Sequence, residues 1–197
     1  EFNPEDMYAD DDMVITISHL GYIKRTPLAD FRQQGRGGVG AKASSARDED
    51  FIEYVHQANM HSTMMFFTEQ GRLYWIKVYD IPEGNRQSKG RALQNMINIQ
   101  KGDKVCAFIH VKNLNDQEYV DNHYLIFATK DGLMKKTTLE SYSRPRANGI
   151  IALGLREGDR LIRVTLTDGK SQMLVASYNG KVVRFPEDTV RPMGRTA

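Results

Sequence analysis

Residues 34 to 40 read Gln-Gly-Arg-Gly-Gly-Val-Gly: Gln34, Gly35, Arg36, Gly37, Gly38, Val39 and Gly40. Four glycines in seven positions do not suit the interior of a strand or helix. Glycine loses more backbone entropy on ordering than any other residue, so it belongs where φ must be positive or where something packs against bare backbone. Arg36 sits among these glycines, with Arg32 before and Lys42 after. Exposed amides beside guanidinium and ammonium groups suit a phosphate ligand. A glycine-rich stretch by itself is a weak signal and is most often just a mobile turn.

The same side-chain chemistry recurs. Asn85 to Arg91 contains Arg86, Lys89 and Arg91, and Ser143 to Gly149 contains Arg144 and Arg146. Lys24-Arg25, Lys77, Lys135-Lys136 and Arg184 add cations within apolar runs. As a set these fourteen basic residues are expected to contact a polyanion, DNA, although strands also place charge outward on any solvated face. Trp75 could stack on a base but fits packing beside Tyr74 and Ile76. Enzymatic readings find little support. The histidines show no metal-ligand spacing, Asp48-Glu49-Asp50 fits a turn better than a cation site, and neither a Gly-x-Ser-x-Gly elbow nor a phosphate-binding loop ending Gly-Lys-Ser/Thr is present. No catalytic and no metal-binding residues are expected.

The elements that must hold these cations follow a repeated pattern. Apolar runs meet turns at Leu20-Gly21, Gln70-Gly71, Asp131-Gly132 and Asn179-Gly180, and basic or apolar runs follow. Such turns between strand-like runs predict hairpins of the two-residue type I′, with positive φ at both central positions. Aligned on these glycines, the chain holds register. Six residues before come Ile15, Met65, Ile126 and Leu174; three before come the hydroxyls Ser18, Thr68, Thr129 and Ser177; two after come Ile23, Leu73, Met134 and Val182. Arg25, Lys136 and Arg184 stand four after, with Trp75 in the second repeat. Spacings of 50, 61 and 48 residues indicate a propeller or solenoid. A polar insertion, Asn113 to Asn122, accounts for the longest and is expected to protrude. Each repeat continues through a basic loop and an acidic or Gly-Asp turn into another strand, giving about four strands per blade. The expected blades are 13–62, 63–121, 122–171 and a partial 172–197, a partial disc.

Composition permits this and excludes other classes. With 197 residues, 40% apolar and 26% charged, the chain has an ordinary globular balance. Its one cysteine, Cys106, cannot pair internally, and no apolar run has membrane-spanning length, so a soluble cytoplasmic protein is expected. The first twelve residues carry six acids and no Lys or Arg, reading as an acidic linker. Setting those aside leaves 27 basic against 19 acidic side chains, a net of +8, as in many polyanion binders.

Four features together carry a resemblance: Ile15 to Arg25, the glycine-rich stretch, Lys130 to Thr138 and Gly180 to Phe185. They resemble the C-terminal domain family of DNA gyrase A subunits. Residues 34–40 resemble that family's seven-residue box, matching at Gln34, Arg36, Gly37, Gly38 and Gly40 and departing at Gly35 and Val39, where the family usually has a positive charge. The resemblance implies an all-β fold, a β-pinwheel of propeller-like blades that exchange strands, with double-stranded DNA bent around a basic rim. It also implies that the box supports negative supercoiling, and that bond breakage, ATP and Mg belong to other domains of an assembly of two A and two B subunits. No cofactor is expected in this chain, and no membrane partner. The A-type subunit of topoisomerase IV, whose box is degenerate or absent, is the near alternative. A protein-binding propeller and a hydrolase with a site in the disc channel are the more distant ones.

Overall fold

The computed structural model describes residues 3–30, 50–85 and 87–197. The box, with Arg32, Lys42 and Arg86, lies outside the described residues. The strands are β1 (Asp12–Ser18), β2 (Tyr22–Pro27), β3 (Ile52–Asn59), β4 (Thr63–Thr68), β5 (Arg72–Lys77), β6 (Arg91–Ala92) and β7 (Val105–Val111). They continue as β8 (Tyr124–Thr129), β9 (Met134–Thr138), β10 (Ile150–Ile151), β11 (Leu161–Thr167), β12 (Gln172–Ala176) and β13 (Val182–Pro186). Helical structure among the described residues is limited to short 3-10 turns and α1 (Gln117–Asp121). The architecture is all-β, as the repeat implies.

The chain divides into two compact units. One comprises Glu1–Met64, Trp75–Ile99 and His110–Lys112; the other comprises Met65–Tyr74, Gln100–Ile109 and Asn113–Ala197. In the first unit, a sheet runs β3-β1-β2-β6. β1 and β2 form an antiparallel hairpin from Met13↔Pro27 to Ile17↔Ile23, while β6 reaches β2 from the next repeat, pairing Tyr22↔Ala92 and Ile23↔Arg91. The second unit contains the sheet β11-β8-β9 and the hairpin β12-β13. There too a strand crosses between repeats: β10 pairs with β5 at Ile150↔Leu73 and Ile151↔Arg72.

The hairpins differ from the expected type I′ form. Gly21, Gly71, Gly132 and Gly180 have φ between +76° and +84°, but among the described residues no other residue type has positive φ. Each glycine N–H instead bonds to the carbonyl three residues back, at Ser18, Thr68, Thr129 and Ser177. In the last two repeats the pairs Thr129–Leu133 and Ser177–Lys181 close three-residue loops. A tight right-handed turn followed by one left-handed glycine satisfies the strand twist without straining the residue before it. The recurrent hydroxyl now has a cause. Ser18, Thr68, Thr129 and Ser177 each accept the N–H of the residue after the glycine, at 3.1–3.2 Å.

An aspartate clasps each of the first three turns from the end of its repeat. Asp50 Oδ1 accepts from Leu20 N–H and Phe51 N–H, both at 3.0 Å. Asp103 and Asp159 do the same for Gln70 with Lys104 and for Asp131 with Arg160. Desolvation pushes the Asp50 and Asp159 carboxyls up, but the backbone N–H groups and a neighbouring hydroxyl hold both below the usual carboxylate range.

β1 from Met13 to Ser18 and β4 throughout are continuously buried rather than alternating, as in strands covered on both faces. In the second unit, Phe67 packs edge-on against Phe127, and Phe66 against Phe108. Tyr142 is fully buried and donates to the Ala152 carbonyl at 2.7 Å; burial pushes its phenol up to about 12. The insertion is anchored rather than merely protruding. Asp116 caps α1 by accepting from Tyr119 N–H, and Val120 and Leu114 are buried. The acidic leader is tied to the first unit: Glu5 pairs with Lys77 at 2.7 Å, Tyr8 stacks on Tyr79, and Asp10 accepts from His61 N–H.

Candidate nucleic-acid interface

In the first unit the candidate cations sit where β2 receives the loop that leads into β6. Lys24 is 3% exposed and Arg25 8%. Lys24 Nζ donates to the carbonyls of Asn85 and Ser88, each at 2.9 Å. Arg25 Nε donates to the Ile81 carbonyl at 2.6 Å, and its guanidinium pairs with Glu83 at 3.1 Å. Thr26, also buried, donates to the Gly84 carbonyl. Burial lowers the Lys24 ammonium from its ordinary value. These charges face the interior, contrary to an exposed rim that includes them, because the loop of the following repeat covers β2. Lys89 and Arg91 are exposed on the outer side of the same loop, and Lys89 Nζ lies 3.7 Å over the Tyr22 ring.

Two glycines let the loops approach so closely. Gly90 has φ +84°, and a Cβ there would lie 2.3 Å from the Ile23 carbonyl oxygen. Gly149 has φ +69°, and its Cβ would lie 2.6 Å from the Leu73 carbonyl oxygen and 2.7 Å from the Tyr74 ring. Ile23 and Leu73 both stand two after their turn glycines, so the two loops dock on equivalent strand positions.

In the second unit, Arg144 and Arg146 project from the loop that ends at Gly149. Arg144 is 89% exposed and faces Glu140 at 3.7 Å. Arg72, one after its turn glycine, donates to the Asn148 carbonyl and lies over Tyr74. Lys136 is 3% exposed and pairs at 3.3 Å with Glu187, which is fully buried and also accepts from the Thr167 hydroxyl and Ser171 N–H. Lys136 thus also turns inward, contrary to its expected place on the rim. Lys135 is half-buried, donating to the Arg195 carbonyl, and burial followed by the nearby Arg195 charge lowers its ammonium. Arg184 is exposed on β13. Lys77 is half-buried in its pair with Glu5.

The structure therefore sorts the described candidates. Lys89, Arg91, Arg144, Arg146 and Arg184 face water, Lys77 and Lys135 are partly engaged, and Lys24, Arg25 and Lys136 are structural. Sequence reasoning missed Tyr22, Thr26 and Arg72, which hold or flank the loops. Tyr22 and Arg72 share the position one after the turn glycine, a register signal that was readable. Trp75 is half-buried. Among the described residues no group of three or more His, Cys, Asp or Glu could hold a metal ion, and no helix is long and apolar enough to cross a membrane.

Comparison with known proteins bears on this arrangement. The family model described as DNA gyrase C-terminal domain, beta-propeller, matches residues 12–59, 62–112, 123–168 and 172–197. The chain belongs to this family. It is 44% identical over 193 residues to the DNA gyrase A subunit of Haemophilus influenzae, covering 98% of this chain and 21% of the relative. The A subunit of Salmonella typhimurium gyrase is 44% identical over 197 residues, covering 22% of that protein. The chain thus spans about a fifth of the curated relatives it matches. Among solved structures, the C-terminal domain of a DNA topoisomerase IV superposes with a TM-score of 0.75 at 25% identity, covering 96% of this chain and 56% of that one. A DNA gyrase A C-terminal domain superposes at 0.72 with 22% identity, covering 94% and 58%, a likeness of fold.

Proposed function

We propose that this chain binds duplex DNA through its phosphates, as a non-catalytic DNA-wrapping part of a gyrase A subunit. The observation that supports it most is the pair of loops that glycines let dock closely and that Lys24 and Arg72 hold by their carbonyls, while Lys89, Arg91, Arg144 and Arg146 remain exposed. Cations held on rigid backbone lose little entropy on meeting phosphate and carry no base readout. The box residues 34–40, with Arg32, Arg36 and Lys42, and Arg86 are assigned to the same role from sequence. So is Arg184. Identity of 40–44% to gyrase A subunits favours that protein over its topoisomerase IV counterpart.

In the whole gyrase the repeats act as blades of a cytoplasmic disc that bends DNA and supports ATP-dependent negative supercoiling, together with B subunits in an A2B2 assembly. Strand cleavage and ATP binding lie on other domains. The test is fluorescence anisotropy with duplexes of unrelated sequence across a salt series. Affinity falls roughly tenfold or more between about 50 and 200 mM salt if several phosphates are neutralised, with similar values for every sequence. Salt-insensitive binding, or strong preference for one sequence, rejects the reading.

A further inference from the structure

We propose that Lys24, with Arg25 and Thr26, is a positioning residue for DNA binding: together they draw the carbonyls of Ile81, Pro82, Gly84, Asn85 and Ser88 inward so that the loop carries Lys89 and Arg91 outward. This rests on the DNA reading above.

Five carbonyls in that short stretch point at three consecutive residues of β2. Ile81 accepts from Arg25 Nε, Pro82 from Arg25 N–H, Gly84 from Thr26 Oγ1, and Asn85 and Ser88 from Lys24 Nζ. A buried ammonium is costly unless its donors are satisfied, and here the satisfying groups are loop carbonyl dipoles. Gly84 and Gly90 permit this close approach, since a Cβ there would meet Ser88 Oγ at 2.1 Å and the Ile23 carbonyl oxygen at 2.3 Å. A loop with its carbonyls fixed inward has few rotations left with which to bury its own cations. Lys89 is the first cation after the last clamped carbonyl, and its ammonium rests on the Tyr22 ring from the strand that does the clamping. That contact reports the loop's position.

The experiment compares the 197-residue chain with Lys24→Met, Thr26→Val, Lys89→Ala/Arg91→Ala and the combinations. NMR follows the Lys89 ε protons, which the Tyr22 ring shifts upfield, and anisotropy gives the salt slope of duplex binding. Thr26→Val is near-isosteric and leaves net charge unchanged, so a change in its slope cannot come from a lost phosphate contact of its own. Lys24→Met and Thr26→Val should both move the Lys89 signal toward its random-coil position and make the slope shallower by about one to two units, since each phosphate contact contributes roughly 0.9. Neither should weaken binding further once Lys89 and Arg91 are alanine. If Lys24→Met does not fold, Thr26→Val carries the test. An unmoved Lys89 signal, or losses that add to those of Lys89→Ala/Arg91→Ala, overturns the positioning role alone. Absence of salt-dependent binding by the unaltered chain overturns the DNA reading itself and this role with it.

Discussion

Gly90→Ala and Gly21→Ala form a matched pair that separates backbone strain from docking. Both glycines have φ +84°, yet a Cβ on Gly21 meets nothing within 4 Å while one on Gly90 lies 2.3 Å from the Ile23 oxygen and 2.8 Å from its carbon. Alanine in the left-handed region costs about 1–2 kcal/mol at either site. At Gly90 the methyl is about 1 Å short of ordinary 3.4 Å contact with backbone that cannot swing aside. Relief requires β6 to leave β2, losing the Tyr22↔Ala92 and Ile23↔Arg91 pairing and the Leu93 N–H bond to Gly21. Two or so net hydrogen bonds at about 1 kcal/mol each bring the total to roughly 3–4 kcal/mol. Gly90→Ala should therefore be about 2 kcal/mol worse than Gly21→Ala, a further fall of roughly 4–8 °C in Tm. Urea unfolding gives both midpoints, and amide exchange at Ala92 and Leu93 shows whether β6 has detached. Equal destabilisation by the two substitutions, with β6 still protected, would refute the docking account.

Lys136→Met should cost about 3–5 kcal/mol of unfolding free energy in urea, because it strands the buried Glu187 carboxylate; adding Glu187→Gln should recover only part of that, since it removes the charge but leaves a single side-chain oxygen where Thr167 and Ser171 each used one. Asp50 and Asp159 have folded pKa values below their ordinary 3.8, so the unfolded chain binds more protons near that pH. Their contribution is complete well above 3.8, by about pH 5–6, and is lost as pH falls through the depressed folded values, so a Tm series from about pH 6 to 2 should fall less steeply in Asp50→Asn/Asp159→Asn. Burial, with Glu69 and Asp103 nearby, pushes the Cys106 thiol from 9.0 up to about 12, which lowers its thiolate population near pH 8 roughly a thousandfold. Iodoacetamide should accordingly label the native chain far more slowly than the urea-unfolded chain, and comparable rates would contradict the burial.

The hairpins are legible in the sequence because their causes are local. A turn glycine, a hydroxyl three residues before it and apolar runs on either side lie within a dozen residues, and their register exposes the repeat without any long-range knowledge. Even the departure in turn type is local: a type I′ turn would need positive φ at Leu20, Gln70, Asp131 and Asn179, whereas the turns that form leave that conformation to glycine alone. The cations divide differently. Their residue types and matched positions stand in the sequence, and Lys89, Arg91, Arg144 and Arg146 face water as their loops suggest. Lys24, Arg25 and Lys136 look the same in the sequence, but the next repeat's segment covers them and takes their charge for its own carbonyls and for Glu187. Whether a lysine on β2 meets solvent or backbone is settled by a segment some sixty residues away. Sequence determined which groups could bind an anion. The exchange of strands between repeats decided which of them face solvent, because a buried ammonium must be satisfied by whatever the fold packs against it.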